Sequence, residues 1–547
     1  MPKDKKVNKL MTRYWLSRQY VHTKWKTFEH NGVLFPPLYK PHKVPIIYNN
    51  QRIILPPLAE EYATLFAKYK EHEYFNNKVF RKNFWNDWSK VLKDTPIKSL
   101  DDCDFSLIYN YLLEQKEQKK IINPEEKKAK EEDEKKYKVA YVDGKEQEVG
   151  NFRIEPPSIF IGRGCHPKLG SIKKRIMPED ITINIGKNAK IPVPPYGKWK
   201  NVIHDNNVRW LASWLDTIND KTKYVFLGSR SDWKAESDKN KFDFARKLKK
   251  NIKRIRENND INMSSPEEKI RQIAVALYFI DKLALRVGNE KGEDEADTVG
   301  VTSLRCEHIH LLENNTVKLD FLGKDSIRYT NKLQVTELVY KNIKGFLNNK
   351  TKNDDLFDRI NSNDLNKYLN DFLDGLTAKV FRTYNASHLL QKELNKITKK
   401  YNDIPDIDKT NKLYDGFNKA NAAVALLCNH QKKVSKTFNE QINKITQMIN
   451  KNRKEIKKIQ ASSEELTQAK KERIKKLQKK ILELKAKKNL KIDLKGVSLD
   501  TSKTNYLDPR ITIAFAKKHN LSLDKLFSKK LQDKFFWAMD VSADFKF

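Results

Sequence analysis

One tyrosine in this 547-residue chain stands in a setting where its phenol could do chemistry. The stretch Ser502-Lys503-Thr504-Asn505-Tyr506-Leu507-Asp508-Pro509-Arg510 sets Tyr506 among polar side chains and follows it with Asp-Pro, a turn-favouring pair. A phenol with a pKa of about 10 is a poor nucleophile until cationic neighbours stabilise its anion. On spacing alone Tyr506, one of 21 tyrosines, reads as structural. Cys306, His308 and His310 alternate along an expected strand and would share a face, but no fourth ligand stands near, so no metal site is expected. The four cysteines are scattered and form no CxxC pair, which fits reduced thiols in a nuclear or cytosolic protein. Gly162-Arg163-Gly164 would let the backbone approach a phosphate, yet no strand–helix unit surrounds it and it is no dinucleotide fingerprint.

The elements around these residues are those of a large, basic, folded protein. Lys and Arg outnumber Asp and Glu by 108 to 71, a net charge of +37 that favours a polyanion, nucleic acid before an anionic membrane. Nine Trp and 26 Phe argue that most of the chain folds, and its length suits three or four domains. No apolar run approaches the roughly 18 residues of a membrane span, and no signal-peptide core is visible. Met1 to about Val21 is read as a residual targeting tail or a disordered end. Helices are expected within Pro57–Leu92, through Leu58, Tyr62, Leu65, Phe66 and Tyr69. Asn123–Tyr137, charged on every face, reads as a solvated connector helix. Ser265-Pro266-Glu267-Glu268 has the form of a capping box opening a helix with Ile270, Ile273, Ala274, Leu277 and Ile280 on its core face, stopped near Gly288. His308–Leu312 and Thr316–Leu322 form an expected β-hairpin, with a second turn at Gly323-Lys324-Asp325. Most of the chain between that turn and about Lys433 reads as helix. From Val434 to Leu494 two isoleucine and leucine seams flank Ala461-Ser462-Ser463-Glu464, the pattern of an antiparallel helical hairpin with basic outer faces and almost no concave surface. A small C-terminal domain would dock through a face including Phe515, Leu526 and Phe536.

The Ser502–Arg510 nonapeptide resembles the active-site motif of the eukaryotic DNA topoisomerase I family, the type IB enzymes, and the resemblance runs in order from about Trp25 to Phe547. It implies that Tyr506 is the nucleophile and that four further motifs supply its partners. Lys282-Leu283-Ala284-Leu285-Arg286 would bring Arg286, and Phe321-Leu322-Gly323-Lys324-Asp325 would bring Lys324. Ala378-Lys379-Val380-Phe381-Arg382-Thr383-Tyr384 would bring Arg382, and Leu427-Cys428-Asn429-His430-Gln431 would bring His430. Such a set suits phosphodiester cleavage. Arginines hold the charge on the non-bridging oxygens, lysine protonates the leaving 5′ oxygen, and imidazole adds a hydrogen bond. Taken alone each residue has an ordinary reading: surface ion pairs for Arg286 and Arg382, a solvated turn for Lys324, a helix-capping histidine for His430. The resemblance also implies DNA contacts at Arg163, Asp325 and Asn505. The family pattern has a further arginine two positions before Arg163, where this chain has Ile161.

The implied fold is α+β and multidomain, a bilobed clamp around DNA with a mainly helical catalytic lobe, an antiparallel coiled-coil linker and a small helical C-terminal domain. Its divisions would be a basic segment 1–38, a cap subdomain 39–119, a second cap or core subdomain 120–231, a catalytic subdomain 232–433, a linker 434–496 and the tyrosine domain 497–547. The implied activity is relaxation of positive and negative supercoils in double-stranded DNA through a 3′-phosphotyrosine intermediate, by a nuclear monomer. It requires no ATP and no metal, Mg²⁺ being at most stimulatory. A tyrosine site-specific recombinase uses a similar residue set, and a non-catalytic DNA-binding scaffold would need the charge alone. The long hairpin before Tyr506 disfavours the first, and the intact motifs disfavour the second.

Overall fold

A computed structural model describes residues 23–118, 124–292, 294–401, 406–431, 434, 437–461, 467–493 and 495–547. The Met1–Val21 tail and the Ser462-Ser463-Glu464 turn of the hairpin lie outside them. The described chain mixes helix and sheet and divides into two compact units. The first ends at Glu236 and takes in Lys291–Asp297; the second comprises Ser237–Glu290 and Thr298–Phe547.

The first unit has two cores. In one, helices Pro57–Ala67 and Lys78–Trp88 pack through Phe66, Phe80, Phe84 and Trp88, all fully buried. Phe80, Phe84 and Trp88 recur every four residues on one helix face, and Asn77 caps that helix by accepting from the Val79 and Phe80 amides. Each such ring stabilises the unit by about 1.5–3 kcal/mol. Leu58 departs from expectation and is exposed. The other core lies between a three-stranded sheet (Phe28–His30, Val139–Val142, Lys145–Glu148) and a four-stranded one ordered Asn201–Ile203, Thr182–Asn184, Trp210–Leu215, Thr222–Phe226. The connector helix Pro124–Lys135 is not solvated all round, because Glu134 is buried and ion-paired to Arg153. Gly162 has a packing reason of its own. A Cβ there would overlap the His166 side chain, so the glycine permits packing of this loop on His166.

The second unit is built on helices Glu268–Leu283 and Ala378–Lys400 and a three-stranded antiparallel meander, Ile309–Leu312, Thr316–Gly323 and Ile327–Gln334. Asn314 and Asn315 both take positive φ in its first turn, which Glu313, Asn314 and Asn315 make between the paired Leu312 and Thr316. The expected capping box does not form. The helix starts at Glu268 with Glu267 as its uncapped N-cap, and Ser265 Oγ instead accepts from the Glu267 amide. It ends at Leu283, earlier than Gly288, because Ala284 turns left-handed at φ 49°. Cys306–His308 form a 3-10 turn ahead of the strand, so Cys306, His308 and His310 do not alternate on one strand.

Helices Phe438–Ala461 and Gln468–Asp493 pack against each other through Ile445, Ile449 and Ile481, with Ile456 and Leu484 alongside. The second of them also packs on helix Asp406–Leu427, leaving a groove of about 630 Å³ lined by Tyr414, Asn418, Leu482 and Leu490. The expectation of almost no concave surface therefore fails at that end. In the C-terminal segment Phe515 and Leu526 are buried as expected but Phe536 is exposed. A 3-10 turn at Phe536–Ala538 aims Phe535 inward in its place, and Trp537 stacks on Phe242 at 6.4 Å.

Candidate active site

Two helix C-termini converge on one arginine. Helix Ala378–Lys400 buries Phe381, Tyr384, Leu390 and Leu394, and the same packing carries Arg382 inside, 7% exposed. Its Nη1 donates to the Ala284 carbonyl at 2.9 Å and its Nη2 to the Cys428 carbonyl. Both carbonyls are among the last of their helices, which lack intrahelical donors. At the second helix Asn429 is left-handed, the His430 amide closes on Ala425 O and the Asn429 amide on Leu426 O, a Schellman cap. The partial negative charge of the two ends favours a guanidinium between them. Burial, with Cys428 opposing and Arg286 reinforcing it, lowers the Arg382 pKa, but a guanidinium stays charged. Among the described residues no carboxylate pairs with it, and its Nε is buried without a partner. Arg382 is therefore not a surface ion-pair former.

The cap that shapes Cys428 and Asn429 also places His430, 7% exposed. Its Nδ1 lies 2.7 Å from Ser502 Oγ and its Nε2 3.3 Å from Arg382 Nη2. Burial, then the charges of Arg382 and Arg286, pull its pKa down to about 3, so the ring is neutral at physiological pH. This shift runs against a charged, helix-capping histidine. The His430 carbonyl accepts from the Ser498 amide at 2.8 Å, and Gln431 bridges Val497, which ties the tyrosine segment to this corner.

Tyr506 follows helix Leu499–Asn505, its amide closing on Ser502 O at 2.9 Å. The ring is 8% exposed and stacks on His430 at 5.4 Å, with Arg382 Cζ 5.0 Å from its centroid. Ser387, one and a half turns beyond Arg382 on the same helix, donates from Oγ to the Tyr506 carbonyl at 2.9 Å and accepts from the Asp508 amide at 3.0 Å. One helix therefore sets both the guanidinium and the tyrosine backbone.

The structure brings Arg382, His430 and Tyr506 into contact, with Arg286 close enough for its charge to be felt at the first two. Arg286 itself is exposed, two residues beyond Ala284. Lys324 is exposed at the tip between strands Thr316–Gly323 and Ile327–Gln334, and no hydrogen bond joins it to the cluster. Its hairpin nonetheless borders the site. Asn429 and Gln431 each reach the Arg328 carbonyl at 3.4 Å, and Arg328 pairs with Leu322, two residues before Lys324. Asp325, at φ 68°, and Asn505 are exposed, and Asn505 Nδ2 donates to Thr501 O. Arg163 is exposed in the first unit. Sequence reasoning did not single out Ser502 and Ser387, whose hydroxyls meet His430 and the Tyr506 backbone. Ser502 stands one helical turn before Tyr506, a spacing that could have singled it out; Ser387 carried no signal.

Residues 23–227 match the family model for the eukaryotic DNA topoisomerase I DNA binding fragment, 230–463 that for the eukaryotic DNA topoisomerase I catalytic core, and 478–547 that for the C-terminal topoisomerase domain. DNA topoisomerase 1 of Homo sapiens is 44% identical over 566 residues, covering 97% of this chain and 73% of the human one. The chain belongs to the eukaryotic DNA topoisomerase I family. Other relatives in that family include DNA topoisomerase 1 alpha of Arabidopsis thaliana, 48% identical over 551 residues, and DNA topoisomerase 1 of Caenorhabditis elegans, 46% over 546. This chain spans 59% of the Arabidopsis protein's length and 67% of the nematode one's.

Within this topoisomerase-family chain Ser387 makes a first prediction. The residue is fully buried, so Ser387→Ala leaves the Tyr506 carbonyl and Asp508 amide without its hydroxyl. Stability should fall by about 1–3 kcal/mol, measured by denaturant unfolding. A change below ~0.5 kcal/mol would show that these backbone groups do not depend on Ser387.

Proposed function

We propose that this chain relaxes positively and negatively supercoiled double-stranded DNA as a type IB topoisomerase. The observation that carries the reading is Arg382, a buried cation without an anionic partner among the described residues, set against the tyrosine ring. A buried charge is costly until an opposite charge arrives, and a backbone phosphate beside Tyr506 would be that charge.

The steps follow from the chemistry of the groups. The Tyr506 oxygen attacks phosphorus, forming a 3′-phosphotyrosine as the bond to the 5′ oxygen breaks. Arg286 and Arg382 hold the charge that grows on the non-bridging oxygens. Neutral His430 adds one hydrogen bond there. Lys324 gives its proton to the departing 5′ oxygen, and water takes the phenol proton. The ester energy is kept in the new link, so the 5′ hydroxyl can reverse the attack after the duplex has turned, without ATP. With cations in the charge role no metal is required, and Mg²⁺ is at most stimulatory through DNA.

The remaining parts fit the same reading. The subdomains 39–119, 120–231 and 232–433 would form a bilobed clamp around DNA, with Arg163, Asp325 and Asn505 touching the duplex near the break. The hairpin 434–496 would be a coiled-coil linker bearing on the rotating DNA, and 497–547 the tyrosine domain. The working unit would be a nuclear monomer; among the described residues no helix is long and apolar enough to cross a membrane.

The deciding experiment is a denaturant quench of the protein on plasmid DNA, looking for a covalent adduct at the 3′ end. Its absence would leave a DNA-binding scaffold, and activity confined to plasmids with a special site would point to a recombinase. Relaxation should proceed in EDTA without nucleotide and become distributive as salt rises. A clamp making about 6–10 phosphate contacts loses roughly 10³–10⁵ in affinity between ~50 and ~200 mM salt. A strict need for ATP or Mg²⁺, seen in the same relaxation assay, would overturn the assignment.

A further inference from the structure

Arg382 and Ser502 place opposing demands on the one ring proton of neutral His430. A guanidinium has donors and no acceptor. Nε2 therefore meets Arg382 Nη2, 3.3 Å away, with its lone pair, and the proton sits on Nδ1, donated to Ser502 Oγ at 2.7 Å. In that arrangement the Ser502 hydroxyl hydrogen has no acceptor among the described residues, although the residue is fully buried and its Oγ makes no other hydrogen bond to them. In the other tautomer Ser502 donates to Nδ1 and is satisfied, but Nε2–H points at the Arg382 N–H groups. Protein groups alone cannot satisfy the ring and the Ser502 hydroxyl together. An oxygen acceptor at Nε2, with Arg382 turned toward it, would satisfy them together.

We propose that Ser502 is a positioning residue that switches the tautomer of His430 when the scissile phosphate arrives. Before DNA binds, its hydroxyl accepts from Nδ1–H. With a phosphate oxygen at Nε2, the hydroxyl rotates and donates to Nδ1, and Nε2–H becomes the donor to that oxygen. The ring loses one proton at Nδ1 and gains one at Nε2 through solvent water, so its charge is unchanged. A hydroxyl suits the position because it both donates and accepts, whereas a carboxylate would lock the proton on Nδ1. The inference rests on the proposed phosphodiester cleavage and adds how His430 becomes a donor within it.

Ser502 also has a plain backbone role, since its carbonyl accepts from the Tyr506 and Leu507 amides at 2.9 and 3.0 Å. The test must separate the hydroxyl from that role. Single-turnover cleavage of a suicide DNA substrate should slow roughly 3–10-fold in Ser502→Ala, the worth of one hydrogen bond, with DNA affinity unchanged. Ser502→Thr, which keeps the hydroxyl, should recover most of the rate. In a His430→Gln background, where an amide replaces the ring, Ser502→Ala should cost nothing more. Equal losses in both backgrounds would mean that Ser502 acts by packing, and the proposal would fail. Histidine-selective ¹⁵N spectra of the unsubstituted chain give a second reading that survives a folding defect in any Ser502 variant. They should show Nδ1–H without DNA, and the DNA complex of Tyr506→Phe should show Nε2–H. An Nε2–H tautomer in the free protein would overturn the switch. If the unsubstituted chain forms no covalent adduct, the cleavage reading falls, while the free-protein spectrum still reports the resting tautomer.

Discussion

Tyr506→Phe abolishes relaxation and the covalent adduct and leaves DNA binding nearly unchanged. The expectation rests on what the ring does apart from its hydroxyl. It is buried, it stacks on His430 at 5.4 Å, and it faces the Arg382 guanidinium at 5.0 Å. Phenylalanine keeps both contacts, and the Ser387 bond to the residue-506 carbonyl does not involve the side chain. The substitution thus removes the nucleophilic oxygen and little else. Plasmid relaxation, adduct trapping and a gel-shift titration on one preparation check it. Residual relaxation well above background would mean a different nucleophile.

Lys324→Ala slows cleavage of ordinary DNA by roughly 10²–10⁴-fold, the usual worth of a general acid. A substrate whose 5′ bridging oxygen is replaced by sulfur should be largely rescued, because a thiolate leaves without a proton. Lys324 is exposed at a hairpin tip and takes no part in the packed cluster, so its loss should not disturb Arg382, His430 or Tyr506. Its distance from the resting cluster does not count against the role, since catalytic hydrogen bonds often tighten only with substrate bound. Equal defects on both substrates in single-turnover assays would reassign Lys324 to DNA positioning.

Much of the second unit was legible from local pattern. The core face Ile273, Ala274, Leu277 and Ile280, the meander turning at Asn314-Asn315 and the paired seams of Ile445, Ile449 and Ile481 follow from side-chain period and turn residues. Local signals failed where a longer-range contact outweighed them. The connector helix buries Glu134 against a distant Arg153, whereas the cap expected at Ser265 gave way to a local bond, Ser265 Oγ accepting from the Glu267 amide. Phe536 and Phe535 are adjacent apolar residues, and which one points inward depends on a 3-10 turn packed against Phe242.

By itself the sequence determined the types of group available: a tyrosine with a turn after it, two arginines, a lysine and a histidine in family-like motifs, and a charge of +37. Only the tertiary structure decided what state they are in. Arg382 is buried without a carboxylate among the described residues because two helix ends, 98 residues before it and 46 after, both turn carbonyls toward it. His430 is neutral because burial and two neighbouring cations outweigh its ordinary pKa. Ser502 and Ser387 matter because their hydroxyls meet partners 72 and 119 residues away in the chain. A sequence pattern reports neighbours within a turn of helix or a pair of strands. The charge and proton state of a buried group is set by whatever the fold brings within a few ångströms, at any separation along the chain.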